Sequence, residues 1–315
     1  MTAPTPIVTM IVPGRDIAAF APAALDSLRA QTDQRWRAVL IDDGSVDDTR
    51  AVFAAAAAAD DRFTVVRHDA SIGLGAARNV GLGLVDTPFT GFLDADDELT
   101  PRALEHLIGT LERTGSDFAA GAYVRLRPAG DGYAAGRVQP WVAAATTPAR
   151  LGTTLDAHPQ AVSNIVAWSK VSRTEMWSAL RFPEGVAYED QVVAQTMYTR
   201  ARAFDVLPEV VVRWRVRPDG TSITQSKAQL PVLRDYLAAL RGGIRVLQEA
   251  GAHAAVTARL DLILAMDIAP LLEIAGTHPD PAYAAEVSAF LADLRALPEY
   301  ADADPDPTLA DALTW

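Results

Sequence analysis

The chain has 315 residues, half of them apolar, enough material for one large core or two modest ones. A net charge of −12 argues against a broad footprint on nucleic acid or an anionic membrane and leaves room only for a local basic pocket. Without cysteine there is no disulfide, thiolate nucleophile or zinc–thiolate site, and no run approaches the ~20 apolar residues of a bilayer span.

The start, "MTAPTPIVTMIV", lacks the basic stretch and long apolar core of a signal peptide. The expectation is a cytoplasmic protein with no membrane span, in contact with a membrane at most peripherally. Residues 7–12 predict a buried strand stopped by Pro13 and Gly14, and residues 22–31 a helix with Pro22 in its first turn. A second strand at 36–41 ends in "DDGS", where Ser45 and Asp48 form a capping-box-like pair before the next helix. A third strand at 63–67 leads through a glycine-bearing loop to the helix "GAARNVGLGLV", and a fourth at 89–93 delivers an acid cluster. Thr100 is placed to cap a helix running from Pro101 to near Gly115. Strands alternating with helices across short turns predict an α/β fold whose mainly parallel sheet is covered on both faces.

Past "DFAAGAYVRL" (117–126) the rhythm breaks, and residues 127–165 carry weak periodicity. A helix is expected at 188–201, strand pieces around Pro208, and helices from about 228 onward, ending in the acidic "DADPDPTLAD". This divides the chain into residues 1–226, with a first half to about 126 and a second half from 127, and a helical region at 227–315. Those last helices are a candidate surface for oligomerisation.

The acid cluster frames the functional question. Asp94, Asp96, Asp97 and Glu98 occupy four of five positions at the end of an apolar strand, where like charges repel. In an open parallel sheet ligands gather at the carboxyl ends of strands, so Pro13, Asp42 and Asp94 share one edge. Alternating carboxylates there, together with phosphate oxygens, suit a hard divalent ion, Mg²⁺ or Mn²⁺. A solvated turn is the competing reading of a bare D-x-D, and an Asx turn that of Asp42, although Asp43 is the better candidate for that structural job. The five histidines show no metal-ligand spacing and read as structural or exposed.

"PIVTMIVPGRD", "LRAQTDQRWRAVLIDDGSVDDT", "GLGAARNVGL" and "TGFLDADDEL" together resemble the ordered signatures of glycosyltransferase family 2, inverting enzymes with the GT-A fold, and the resemblance extends over roughly residues 6–225. It implies that Pro13 and Asp42 hold the nucleotide, with Asp42 accepting from a uracil imide in a UDP-sugar, and that Arg78 reaches the donor's phosphates or ribose. It makes Asp96 the direct metal ligand. Asp94 would contact the ribose or a metal-bound water, Ala95 would lie between them in the donor site, and Asp97 and Glu98 would be the solvated part of the cluster. "FPEGVAYEDQVVAQTMYTRARAFDVL" is similar to the Glu-Asp helix start of polysaccharide and wall-polymer members, which makes Asp190 the general base. A helix N-terminus favours an ionised carboxylate there. "AWSK" matches a segment lining the site, so Lys170, one of only two lysines, becomes a candidate for the diphosphate and Trp168 for a sugar face. "RWRVRPDGTSIT" resembles a late strand and mobile loop from which Arg217 closes over the diphosphate.

The implied partners are a nucleotide-sugar donor and a saccharide, polyol-polymer or lipid-linked acceptor. Two departures from the pattern, Gly14-Arg15-Asp16 after the proline and Ala70 in the third loop, alter the wall on which a base would stack. Competing readings are a sugar-nucleotidyltransferase, disfavoured by the short acidic "VPGRD" turn, a dehalogenase-type phosphatase, disfavoured by the motif's place on a fourth strand, and a donor-binding scaffold without turnover.

Overall fold

Strand β1 (Val8–Gly14) is the hub of the sheet, buried along all but its last residue, as a parallel strand covered on both faces must be. In the computed structural model, which describes residues 4–130, 132–217 and 227–303, β1 pairs in parallel with β2 (Trp36–Asp43) on one side and β4 (Phe89–Phe92) on the other. Beyond β2 lies β3 (Phe63–His68). Helices α1 (Ala21–Arg29), α2 (Thr49–Ala59) and α3 (Leu74–Leu82) make the crossovers. Strand order reverses at β1, which opens the crevice where such sheets bind ligands.

The sheet continues from β4 through antiparallel β9 (Lys170–Arg173) to β6 (Phe118–Ala129), which runs parallel to β10 (Phe204–Arg215) and is followed at the edge by β5 (Glu98–Leu99). One sheet therefore runs through both halves of residues 1–226. Pro208 does not break β10; the strand absorbs it with register shifts between Leu207 and Val212. The weakly periodic stretch holds β7 (Gly132–Val138), paired with β6, then α4's successor α5 (Pro140–Thr146) and β8 (Arg150–Thr153), paired with β10. Helix α4 (Ala103–Thr114) ends on Gly115 in the left-handed conformation.

Two expected caps differ. Ser45 Oγ accepts from the Asp16 amide at 3.1 Å, across the crevice, and makes no cap. Thr100 donates to the Val210 carbonyl at 2.6 Å, and α4 starts three residues later.

Four helices complete the described chain: α7 (Leu230–Glu249), α8 (His253–Met266), α9 (Ile268–Thr277) and α10 (Pro281–Arg295). They share one continuous apolar core with the sheet, and they hold the segment leading into α6 (Asp190–Arg200). Asp235 accepts from the Ala187 amide at 2.9 Å, Tyr236 packs on Tyr188 with ring centroids 4.5 Å apart, and buried Arg259 donates to Gln191 at 2.8 Å. The acidic stretch expected at the end lies mostly outside the described residues.

Candidate active site

One side of the crevice is built by loops locked to one another. Pro13 and Gly14 stand beside Ile41 and Asp42 in the β1–β2 register. A Cβ on Gly14 would lie 2.9 Å from the Ala95 Cβ, so only glycine lets the acidic turn sit against β1. Ala95 is buried and its amide donates to the Pro13 carbonyl at 3.2 Å. Its role is to fix the turn, and contact with a donor would come from its flanking acids. Asp16, at φ 51°, accepts from the Val46 amide at 2.8 Å, and Asp47 accepts from Ala18 at 2.9 Å. The divergent "GRD" segment is thus a strut between the first two loops.

Asp42 and Asp43 share the structural work differently from the sequence expectation. Asp42, fully buried, closes the turn by accepting from the Ser45 amide at 3.0 Å through one carboxylate oxygen. Its second oxygen is buried with no hydrogen-bond partner among the described residues, the nearest cation being Arg67 at 3.8 Å. Such an orphaned acceptor is costly unless something donates to it. Asp43 ties down the third loop, accepting from Ser71 Oγ at 2.7 Å and from the Ile72 and Gly73 amides at 2.8 and 3.1 Å.

Helix α3 meets the segment that leads into α6. A Cβ on Gly75 would fall 2.0 Å from the Pro183 carbonyl oxygen, so glycine is required for the two segments to touch. Asn79 clamps the same stretch, accepting from the Phe182 amide and donating to its carbonyl, both at 2.9 Å. Arg78, far from being a surface arginine, is buried: it donates to Asp94 at 2.6 Å and pairs with Glu189. The Glu-Asp pair at this helix start divides accordingly: Glu189 takes the Arg78 guanidinium, which leaves Asp190 as the acid turned elsewhere.

The acid cluster is answered by arginines of its own chain. Asp96 pairs with Arg217 at 2.7 Å. Asp97 is buried, correcting the expectation of a solvated residue, and accepts from the Arg215 amide at 2.7 Å with its other oxygen unpartnered. Glu98 is likewise held, by Arg215 and more loosely by Arg213 at 3.6 Å. Arg213 and Arg215 share one face at the end of β10, and Arg217 follows two residues past it, an alternation readable in "RWRVR". The loop expected to follow Arg217 lies outside the described residues.

Burial first, with Asp94 nearby, pushes the Asp96 carboxyl up despite Arg217. Burial and the neighbouring Asp96 and Asp94 push Asp97 well up. A divalent cation would relieve both. Among the described residues no group of three or more His, Cys, Asp or Glu could hold a metal by itself. The donor set therefore fits an ion bound through Asp96, with further oxygens drawn from a diphosphate and water, the usual habit of Mg²⁺.

Asp190 begins α6 beside Tyr188, a non-glycine residue at φ 60°, an uncommon conformation that clusters at functional sites. Its carboxylate makes no hydrogen bond or ion pair among the described residues. Burial, then Glu189 and Asp94 against the opposing pull of Arg78, pushes it up to about 7. The helix terminus does not keep it strongly acidic, because the protein packed around it outweighs the dipole. Asp190 and Lys170 line one cavity of about 10 Å³, room for a single water, with Phe92, Trp177 and Met197.

Lys170 corrects the expectation of a diphosphate ligand. Its ammonium is buried and donates to the Asn164 carbonyl at 2.6 Å, the Asn164 side chain at 3.0 Å and the Val166 carbonyl at 2.7 Å, which uses all three N–H groups. Burial brings it down to about 7, with Asp190 pulling the other way. Trp168 is core, packed on Tyr123 and Trp214 at 4.8 and 6.4 Å. Of the histidines, His158 bonds the Ala145 carbonyl at 2.9 Å and exposed His253 pairs with Glu299 at 2.8 Å.

The fold and this strand edge define a GT-A architecture, the mixed sheet with helices on both faces and a helical region appended. Solved structures agree on the fold. S. aureus TarS 1-349 in complex with UDP-GlcNAc matches with a TM-score of 0.75 at 19% identity, over 97% of this chain and 83% of that one. Mannosyltransferase PcManGT from Pyrobaculum calidifontis, in complex with GDP-Man and Mn²⁺, matches with a TM-score of 0.60 at 17% identity, over 98% and 79%. Residues 9–160, just under half of the chain, match the family model Glycosyl transferase family 2. Glycosyltransferase GlyA of Streptococcus pneumoniae is 25% identical over 239 residues, covering 73% of this chain but 33% of GlyA. The chain matches about a third of the length of such curated relatives.

Proposed function

We propose that the protein transfers a sugar from a nucleotide-sugar, with UDP as the carrier, to a hydroxyl of a saccharide, polyol-polymer or lipid-linked acceptor, with inversion at the anomeric carbon. Asp42 accepts from the base, Pro13 shapes the base pocket, and Asp94 meets the ribose. When bound, a Mg²⁺ or Mn²⁺ ion on Asp96 supplies charge neutralisation for the departing diphosphate, and Arg217, now paired with Asp96, is within reach to share that task. Asp190 takes the proton from the acceptor hydroxyl as it attacks. A carboxylate poised near neutral pH suits this step, being basic enough to accept a proton while still ionised in a useful fraction of molecules. The TarS and PcManGT complexes, with UDP-GlcNAc and with GDP-Man and Mn²⁺, support a nucleotide-sugar donor and a metal.

The observation that carries this reading is the pairing of two unsatisfied acids on one edge: Asp42, with an orphaned buried oxygen, and Asp190, with a carboxyl raised to about 7 and no partner among the described residues. The test is release of UDP from a panel of UDP-sugars, with and without Mn²⁺ and with oligosaccharide acceptors. Parent protein is expected to turn over at least one donor, and Asp190→Asn to bind it with similar affinity and lose turnover by 100-fold or more. Equal turnover in Asp190→Asn would remove the assigned base.

A further inference from the structure

In a chain of net charge −12, Arg125 and Arg127 stand together on one face of β6 without a carboxylate. Among the described residues neither makes an ion pair or a side-chain hydrogen bond. The arginines at and just beyond the end of the neighbouring strand differ: Arg213, Arg215 and Arg217 each pair with an acid. Arg125 is half-buried between two indoles, its guanidinium 5.6 Å from the Trp141 ring centre and 5.3 Å from that of Trp214, its cross-strand partner in the β6–β10 register. Burial, with Arg127 adding to it, pushes the Arg125 guanidinium down from its ordinary value. The fold thus holds two like charges side by side, one of them partly desolvated, and among the described residues their N–H groups find no acceptor.

The position links this cluster to the base. Tyr123, two residues earlier on the same face of β6, lies within the electrostatic reach of both Asp190 and Arg125. Successive same-face positions on a strand are about 7 Å apart, so Tyr123, Arg125 and Arg127 form a track leading outward from the catalytic edge. Indole faces accommodate sugar or polyol carbons, and guanidinium forks match oxyanions in two-point geometry.

We propose that Arg125 and Arg127, flanked by Trp141 and Trp214, form an acceptor subsite for a polyhydroxylated chain bearing oxyanion groups, and that it leads one hydroxyl of that chain to Asp190. The subsite rests on the glycosyltransferase reading for its role, while the binding itself is separable. The shared chemistry is an oxyanion beside hydroxylated carbons, which a phosphodiester polymer and a uronate polymer both supply.

The test is a titration of the full chain, followed by tryptophan fluorescence, with poly(glycerol phosphate) oligomers, oligogalacturonate and neutral dextran oligomers of equal length. Saturable binding of an anionic probe, at least 10-fold tighter than dextran and weakened by added salt, is expected. The tighter of the two anionic probes identifies the source of the oxyanion. Arg125→Gln with Arg127→Gln should weaken that probe by 10-fold or more, and the exposed Arg127→Gln alone should weaken it measurably with an unchanged melting temperature. Dextran binding as tightly as the anionic probes, or a folded double variant binding like the parent, would overturn the subsite. UDP binding measured in the same samples reports separately on the donor reading, so its absence tells against the donor site and leaves the probe titration to decide this one.

Discussion

Arg78 joins Asp94 to Glu189: one buried guanidinium on α3 donates to the first acid of the D-x-D turn at 2.6 Å and pairs with the acid that precedes the candidate base. The donor turn and the base helix, nearly a hundred residues apart in sequence, meet on this cation. Because its charge offsets two buried carboxylates, Arg78→Met should destabilise the protein by about 3–5 kcal/mol, the usual consequence of leaving buried charges uncompensated. Arg78→Lys keeps a charge but lacks the fork that spans both acids, and should recover part of the loss. Urea unfolding of the three proteins measures both effects.

Asp190 imposes a pH dependence on activity. Its folded-state carboxyl titrates near 7, so turnover at saturating donor should rise with pH through that value as the base ionises. Stability should move the other way. The folded protein retains a proton that the unfolded chain releases near 3.8, so the group's contribution falls as pH climbs between those values. Asp190→Asn removes this penalty and should be more stable than the parent by up to about 4 kcal/mol at pH 8, with no difference near pH 4. Thermal melts of both proteins across that range provide the measurement.

Lys170→Met separates a structural role from a phosphate-binding one. The Asn164 and Val166 carbonyls would lose their donor, which should destabilise the fold by about 1–3 kcal/mol. Since the Lys170 charge favours ionised Asp190, the rising limb of the pH profile should shift to higher pH. UDP affinity should remain within about 2-fold, whereas a diphosphate ligand would lose about 10-fold or more.

Asp43→Ala tests the loop scaffold. It deletes acceptors for Ser71, Ile72 and Gly73 and should destabilise the protein by about 2–4 kcal/mol. The third loop and the start of α3 should then exchange amide protons faster, read by hydrogen exchange at residues 71–75.

The strands that end at the site are legible because buried parallel strands are runs of β-branched and aromatic residues bounded by turns, as in "IVTMIV" and "FTGFL". The ion pairs are not, because their partners are distant in sequence: Arg78 and Glu189 are separated by 111 positions, and Arg215 and Glu98 by 117. Local chemistry also misled. Ser45 and Thr100 have the residue type of caps, yet tertiary partners at Asp16 and Val210 claim their hydroxyls. The scarcity of lysine drew attention to Lys170 as a diphosphate ligand, but its burial under Asn164 depends on packing that no spacing encodes. Residues 127–165 resisted reading because short elements such as β7, α5 and β8 take their shape from the strands they pair with.

The most direct measurement is a calorimetric titration of UDP into the parent and into Asp96→Ala, each with and without Mn²⁺. The account predicts saturable binding to the parent that Mn²⁺ strengthens by 10-fold or more, and loss of that metal-dependent gain in Asp96→Ala. Absence of UDP binding by the folded parent, or an Asp96→Ala protein with the full Mn²⁺ effect, would contradict it.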